Sequence, residues 1–394
     1  MEMRLKLTKG KEAAVSKNSL FFTVTTLVMA AMVWFGMNSS IDFGRNPIDG
    51  VTFPTARVLE VLADQTVTDE SGIRMGRQDL LMEIMSGSNR GNIVEVQNIL
   101  IMGHSVFAEV GQRLVIYYEL DEFTGAYFAT VHSHERATAI YVIVLLFIGL
   151  MVSIFGKSGL RSAFGLVFTF ITIIFLLLPL IVLGAPPALT TLILSFVMTG
   201  VSLISVMGFE KKTWVSILGT SVGIGAYALF YVLISDALVI SGYNTPEVVN
   251  LAVIGFNTHM GVSELLFCAI LIASLGAIMD VAVSIASVTA ELSAKNPAAG
   301  FRELFHSGMK IGRDLIGSSS NTLILAFTGS FLVPLILFRT SNNDYNMLIN
   351  RTDIGIEVLR AISASASMVL CAPATAVIGS HFHAAKPVLK TRKQ

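Results

Sequence analysis

Long apolar runs separated by short polar segments are the dominant pattern of this chain. Eight of them approach the roughly 20 residues that a helix needs to cross a bilayer, where no water is present to satisfy its backbone. The runs lie near residues 19–37, 138–155, 164–183, 189–208, 214–235, 264–287, 318–338 and 358–380. The first run has the basic start of a secretory signal, but it is longer than a signal core, which favours a retained helix. The pattern predicts an α-helical polytopic membrane protein with about eight transmembrane helices.

The lysines give the expected orientation, because cytoplasmic loops are enriched in positive charge. If the eight spans alternate, every lysine falls on one side of the membrane. The lysine-bearing segments are the tail to Lys17, Lys157–Arg161, Lys211–Lys212, residues 288–317 and the tail 381–394. The loops 184–188 and 236–262, expected on the other side, carry no lysine or arginine. We therefore expect both termini in the cytoplasm.

Residues 38–136 interrupt the apolar pattern and form a separate acidic domain. They contain fourteen acidic residues against seven arginines and no lysine. Five strand-length stretches with alternating apolar and polar residues are separated by Gly, Asn or Asp. These stretches are Ala56–Leu62, Asp79–Met85, Ile93–Asn98, Arg113–Tyr118 and Tyr127–Val131. The pattern predicts a small β-rich extracytoplasmic domain, either a barrel of OB type or a sandwich.

The predicted organisation of the chain follows from these boundaries. A basic tail (1–18) precedes the first transmembrane helix (19–37), the extracytoplasmic domain (38–136), a seven-helix transmembrane domain (137–380) and a second basic tail (381–394).

Composition agrees with a membrane class and argues against several others. Of the residues, 53% are hydrophobic and 14% charged, with a mean hydropathy of +0.71 and no net charge. Soluble domains are about a quarter charged, and binding of nucleic acid needs a concentrated basic face. Cys268 and Cys371 lie in apolar runs and predict packing rather than a disulfide. His104, His132 and His134 have no recognised metal-ligand spacing, so we interpret them as surface residues and expect no metal or cofactor.

Asp280 is the one clear ionisable residue that the pattern places inside a span. An ionisable residue within a membrane helix is costly and often functional. Helical spacing puts it on one face with small and polar residues, which predicts that another helix covers this face. The residues of that face are Ala273, Gly276, Ala277, Asp280, Ser284 and Ser287. At about 1.5 Å per residue, Asp280 lies roughly 24 Å from Glu264, in the cytoplasmic third of the membrane. A structural carboxylate that reaches towards the interface is the alternative.

The seventh span begins with polar side chains that reach about the level of Asp280 in an antiparallel neighbour. Ser319, Asn321 and Thr322 supply hydroxyl and amide groups, and Arg313 and Asp314 lie just before them as an ion pair or counter-charges. Together with Asp280 and Ser284, these groups are candidates for a proton or cation site. The other interpretation is that they cap the helix and join neighbouring helices. Upstream, Phe301–Ile311 has one apolar side and predicts an amphipathic helix at the membrane surface.

Three segments carry a resemblance to a known family. Gly276–Ile285 (GAIMDVAVSI), Phe301–Asp314 (FRELFHSGMKIGRD) and Asn321–Phe327 (NTLILAF) resemble the YibE/F-like family of bacterial membrane proteins. The resemblance implies a multi-pass protein of the plasma membrane, often encoded beside a related member, and implies no activity. The order of Gly276–Asp280, the 288–317 link and Ser318–Thr322 also resembles SecD/SecF and the resistance-nodulation-division transporters, although SecF has six helices.

Two functions remain open from the sequence. The first is an ion-coupled transporter or export factor that uses Asp280. The second is a non-transporting scaffold, or a subunit that pairs with a paralogous membrane protein or with a second copy. An intramembrane enzyme is not expected, because the chain shows no paired aspartate motif, zinc motif or nucleophile with a placed base. The expected surroundings are the lipid bilayer and a partner subunit, not nucleic acid.

Overall fold

A computed structural model describes residues 2–39, 51–103, 106–120, 125–241, 264–341 and 344–385, with side chains from residue 18 onward. The chain divides into two compact units, each described by itself below. One comprises Asp42–Ser153, and the other comprises Met1–Ile41 with Ile154–Gln394.

The smaller unit contains a closed β-barrel. Its strands are β1 (Val51–Thr52), β2 (Thr55–Thr68), β3 (Arg74–Ile84), β4 (Ile93–Leu100), β5 (Arg113–Leu120) and β6 (Tyr127–His134). The order β2-β3-β4-β6-β5 closes because β5 pairs with both β6 and β2. The contact between β4 and β6 is parallel and consists of one residue pair, Gln97 and Thr130. This order, with its parallel third and fifth barrel strands, is that of an OB-type barrel, so the predicted β-rich domain is confirmed.

The first hairpin is longer than the alternation predicted, since β2 continues to Thr68 and β3 begins at Arg74. Its outer half has no buried side, and this explains why an apolar alternation did not reveal it. The turn is held by Asp69, whose Oδ1 accepts the N–H groups of Ser71 and Ile73. The barrel core contains Ala56, Val58, Leu80, Met82, Ile84, Val94, Val96, Leu114 and Ile116.

The helices follow the apolar runs. They are α1 (Glu2–Asn38), α2 (Ala137–Phe155), α3 (Lys157–Val182), α4 (Pro187–Met207), α5 (Lys211–Ala237), α6 (Leu265–Lys295), α7 (Phe301–Ser330), α8 (Leu332–Thr340), α9 (Tyr345–Ile349) and α10 (Thr352–His383). Among the described residues, seven are long and apolar enough to cross a membrane, α1 from Asn18 onward, and the bent pair α7 and α8 qualifies as an eighth. This confirms a polytopic helical protein.

The seventh span differs from the predicted one in where its helix begins and bends. The amphipathic segment Phe301–Ile311 continues without interruption into α7, and the chain bends by 57° between α7 and α8. Pro334 explains the position of the break. It offers no N–H to the carbonyl of Ser330, and its ring crowds that carbonyl. The polar start of the predicted span, Ser318–Thr322, therefore lies in the middle of a helix.

Small residues allow α10 to pack closely against α5, α6 and α7. A side chain at Gly219 of α5 would meet Thr375, and one at Gly223 would meet Ile278 and, at 3.2 Å, the Cβ of Cys371. On α7, a side chain at Gly308 would lie 3.2 Å from the Cβ of Ala376. Such glycine contacts replace the hydrophobic driving force, which is absent between helices in lipid.

The contact registers show the relative directions of these helices. Gly219 faces Thr375 and Gly223 faces Cys371, so α5 and α10 are antiparallel. The N–H of Ala188 donates to Glu264 Oε2 at 2.8 Å, so the N-terminal ends of α4 and α6 lie together. Both relations agree with spans that alternate across a membrane.

Enlarging Gly223 tests this packing. We expect Gly223→Val to lower stability by about 1–3 kcal/mol, the usual cost of overpacking a tight interface. Gly225→Val is the matched control, because it lies two residues away on α5 and nothing lies within 4 Å of its would-be Cβ. Both variants carry the same cost of a β-branched residue in a helix. Thermal unfolding in detergent measures the difference, and equal midpoints would contradict the packing.

Candidate functional site

Asp280 lies on the side of α6 that the rest of the described chain leaves uncovered. The residue is exposed and makes no hydrogen bond or ion pair with any described residue. Ala273 and Gly276 on the same face are also exposed, and nothing lies within 4 Å of a would-be Cβ at Gly276. Ala277, Ser284 and Ser287 of the predicted face are half-buried. The prediction that another helix covers Asp280 is therefore wrong for the described part of this chain. The packed side of α6 is the opposite one, with Ile278 and Ile285 fully buried.

The other predicted site residues lie at nearby levels without joining Asp280. A would-be Cβ at Gly308 lies 3.2 Å from Thr289, and one at Gly312 lies 3.2 Å from Ile285, so α7 is antiparallel to α6. Counting on from these contacts, Asp280 is level with about Gly317, one turn before Asn321. No hydrogen bond connects the two helices at this level within the described chain. The residues of the predicted cation site therefore lie at similar heights on the two helices, but no described hydrogen bond joins them.

The side chains of these residues differ in exposure. Ser284 and Ser319 are half-buried, whereas Asn321 and Thr322 are exposed. The Thr322 hydroxyl donates to the carbonyl of Ser318 at 3.0 Å, a local bond within its own helix. Arg313 and Asp314 are both exposed, and the structure shows no ion pair between them. Their role as counter-charges to Asp280 stays a prediction.

A second charged site, which the sequence analysis missed, lies near the start of α10. Glu357 and Arg360 are one turn apart, and the Arg360 Nη1 lies 3.2 Å from Glu357 Oε1. The side chains are only 19% and 27% exposed, respectively. The other carboxylate oxygen, Glu357 Oε2, is buried and has no hydrogen-bond partner among the described residues. A pair of opposite charges shielded in this way differs from the exposed ion pairs elsewhere in the structure.

Helix α7 contributes to the surroundings of the pair. The Arg360 guanidinium lies 5.5 Å from the centre of the Phe327 ring of α7, within cation–π range. The hydroxyl of Tyr227 on α5 donates to the carbonyl of Phe267 on α6 at 2.9 Å, and the two rings are in contact. The charged pair therefore borders α7, whereas α5 and α6 are joined to each other by an aromatic contact.

The pair lies in the first third of the span that α10 forms. At about 1.5 Å per residue, Glu357 and Arg360 are roughly 8 Å and 12 Å along α10 from Thr352. The apolar run that predicted this span begins near residue 358 and leaves Glu357 outside it. The useful signal was the spacing of three residues, which puts opposite charges on the same helical face.

Buried hydroxyl groups continue the polar character of the bundle. Four hydroxyl groups are at most 1% exposed and have no hydrogen-bond partner within the described ranges: those of Ser363 on α10, Ser195 and Thr199 on α4 and Thr220 on α5. A buried polar group without a partner costs free energy and is uncommon. These groups offer partners for a proton, an ion or a polar substrate inside the bundle.

A known protein family matches the region that contains these groups. A model described as YibE/F-like protein matches residues 143–385, which is more than half of the chain. The chain belongs to the YibE/F-like family. Neither the curated proteins nor the solved structures gave a match. In this YibE/F-like protein the matched region contains Asp280, the Glu357–Arg360 pair and the buried hydroxyls, whereas the barrel lies outside it. The resemblance to SecD/SecF stays a prediction.

No group of three or more His, Cys, Asp or Glu residues in the described part of this YibE/F-like protein is arranged to hold a metal ion. His132 and His134 lie on β6, and His104 falls outside the described residues.

Removing one charge of the Glu357–Arg360 pair tests whether the two are coupled. We expect Arg360→Met to cost about 3–5 kcal/mol, because it leaves a shielded carboxylate without its partner. The double variant Glu357→Gln/Arg360→Met removes both charges and should recover most of that loss. Unfolding midpoints of the two single variants and the double variant give the coupling free energy.

The control is the exposed pair of Glu291 and Lys295 on α6, with side chains 66% and 73% exposed. A cycle of Glu291→Gln and Lys295→Met should give a coupling of about 0.5 kcal/mol or less. If both cycles give the same small value, the environment of the α10 pair does not strengthen it.

Proposed function

We propose that this protein is an ion-coupled transporter or export factor, in which carboxylates within the spans take up and release a proton or a cation. The Glu357–Arg360 pair is the observation that supports this most. Ionisable residues inside membrane helices mark ion and proton pathways more often than they serve stability. Here one carboxylate oxygen of Glu357 is already paired with arginine, and the other is buried with no donor in the part of the chain that the structure describes.

Protonation gives the pair two arrangements. When Glu357 is ionised, it attracts Arg360 and the two charges compensate each other. When Glu357 takes up a proton, that attraction is lost, and Phe327 of α7 is the described contact that remains for the guanidinium. Arg360 is then held less by α10 itself and more by α7, so protonation changes how these two helices interact. Such a coupling between protonation and helix packing is what an ion-driven carrier requires.

Asp280 is the second proposed carrier group, nearer the cytoplasm, with Ser284, Ser319, Asn321 and Thr322 as further ligands. An exposed carboxylate in a span is costly unless protein covers it or a proton neutralises it. Its proposed role therefore requires that another membrane segment completes the site. A carrier of this kind needs no cofactor and is not an enzyme.

The proposed location is the plasma membrane of a bacterium, with both termini in the cytoplasm and residues 38–136 outside. The distribution of lysines supports this orientation, since all of them fall in segments assigned to the cytoplasm.

Flux measurements in reconstituted vesicles test the proposal. We expect the wild-type protein to dissipate an imposed gradient of protons, Na⁺ or K⁺, and Glu357→Gln or Asp280→Asn to slow that flux at least tenfold. Each change removes the ionisable group while keeping its size. Glu291→Gln is the control, because Glu291 is an exposed residue at the end of α6. Unchanged flux in the double variant Asp280→Asn/Glu357→Gln would rule out both carboxylates as carriers.

A second function is favoured by the exposed face around Asp280. Small residues beside a polar group are how membrane helices associate. If transport is absent, this face fits a membrane scaffold or a subunit of a two-component complex, with a paralogous protein or a second copy seated against α6.

Photo-crosslinking in native membranes tests that association. Ala273→Cys places a thiol on the exposed face, and the native Cys268 and Cys371 are buried, so a benzophenone maleimide should label the new thiol selectively. We expect a product larger than the single chain, at twice its mass for a second copy and at another mass for a paralogue. Leu229→Cys, an exposed position on α5, is the control. Equal yields at the two positions would contradict a specific partner at α6.

A further inference from the structure

The surface of the barrel contains a groove that is separate from the residues of the proposed ion-coupled transport. It has a volume of about 430 Å³ and lies across β2, β3, β4 and β6. This volume is within the range of about 300–1,000 Å³ typical of small-ligand sites. The groove follows the seam where β4 and β6 run parallel and share only the pair Gln97 and Thr130.

Polar side chains from two neighbouring strands line the floor of the groove. Arg77 and Asp79 come from β3, and Glu95 and Gln97 come from β4. The Arg77 Nε donates to Asp79 Oδ1 at 2.8 Å, which fixes both side chains in place. The four side chains are planar at their ends and together supply both hydrogen-bond donors and acceptors.

Aromatic rings form one wall and extend beyond it. Tyr127 and Phe128 line the groove and are 43% and 52% exposed. From Phe128 a row of rings continues through Tyr117 and Phe53, with centroid distances of 6.1 Å and 5.6 Å. The Tyr117 hydroxyl donates to Glu119 at 2.8 Å, and this bond raises the pKa of Tyr117. The row therefore presents neutral rings beside a polar floor.

We propose that the groove and its aromatic row bind a neutral oligosaccharide. A sugar ring has an apolar C–H face that packs on aromatic rings, and a rim of hydroxyls that both donate and accept. The floor and wall of the groove match these two properties of one ring, and Tyr117 and Phe53 offer surfaces for the next units. The proposal concerns the barrel alone and does not depend on ion coupling.

The charge of the domain decides against nucleic acid, the other ligand class of OB-type barrels. Residues 38–136 contain twice as many acidic residues as arginines and no lysine. Binding to a phosphate backbone requires basic side chains that replace its counterions. An acidic groove repels such a ligand but leaves a neutral sugar unaffected.

The backbone of the seam decides against a peptide that would add as an extra strand. Such a peptide needs free N–H and C=O groups along the edge. Here the Glu95 N–H already donates to the Tyr127 hydroxyl at 3.1 Å, and the Gln97 carbonyl accepts from the Thr130 hydroxyl at 2.8 Å. Recognition in this groove therefore falls to side chains, as expected for a saccharide.

Calorimetric titration of the full-length protein in lipid nanodiscs tests the proposal. Nanodiscs are needed because maltoside detergents present sugar headgroups. The probes are neutral oligomers of glucose and of N-acetylglucosamine with two to six units. We expect saturable binding of at least one series, with affinity rising with length, and at least tenfold weaker binding by Phe128→Ala and by Asp79→Asn.

Val67→Ala is the control, because Val67 is an exposed apolar residue at the end of β2, outside the groove. Circular dichroism and unfolding midpoints close to wild type show that Phe128→Ala keeps the fold, and Asp79→Asn supplies an independent change in the floor. No binding of any probe overturns the proposal, as does wild-type affinity in both variants. Direct binding of a lysine-rich peptide, weakened by Asp79→Asn, with no saccharide binding, would overturn the proposal and assign the groove to a cationic peptide.

Discussion

The close approach of α10 to three neighbouring helices is the constraint on which the membrane domain depends. Helices in lipid gain little from hydrophobicity when they associate, since lipid tails are as apolar as their side chains. Contact area and short distances must supply the stabilisation. The positions Gly219, Gly223 and Gly308 remove the side chains that would keep the helices apart. The facing surface of α10 is correspondingly small, with Ala372, Cys371 and Ala376 fully buried.

That packing is also what makes a charged pair tolerable at the start of α10. Glu357 and Arg360 compensate each other, and Phe327 covers the guanidinium. Asp280 has no such compensation within the described residues, although its helix is packed just as tightly on the opposite side. The two carboxylates thus represent the two ways in which a membrane protein handles charge. Glu357 has an arginine partner in its own chain, whereas Asp280 has no charged partner among the described residues.

The sequence alone predicted those helices and strands whose pattern depends only on their own residues. Apolar runs identified the spans, and alternation identified the strands from β2 to β6, because both patterns arise from the surroundings of a single element. It was insufficient where a feature depends on a pair of elements. The small face around Asp280 looks the same whether it packs on a helix of this chain or on a partner, so its exposure was not predictable. Glu357 was missed because mean hydropathy does not show that two opposite charges share one helical face. The shielding of the pair also depends on neighbouring helices, which the sequence of α10 does not show.

The net charge of zero illustrates the same limit for function. Over the whole chain, 27 lysines and arginines balance 27 acidic residues, but the lysines all lie in segments assigned to the cytoplasm and fourteen of the acids lie in 38–136. A ligand meets only the local charge, which screening restricts to within about 10 Å. In the barrel that charge is negative and the exposed groups are aromatic rings and hydrogen-bonding side chains. The net charge of the whole chain is therefore a weak guide to its ligands, whereas the acidic surface of the barrel disfavours a phosphate backbone and suits the uncharged, hydroxyl-rich ligand proposed above.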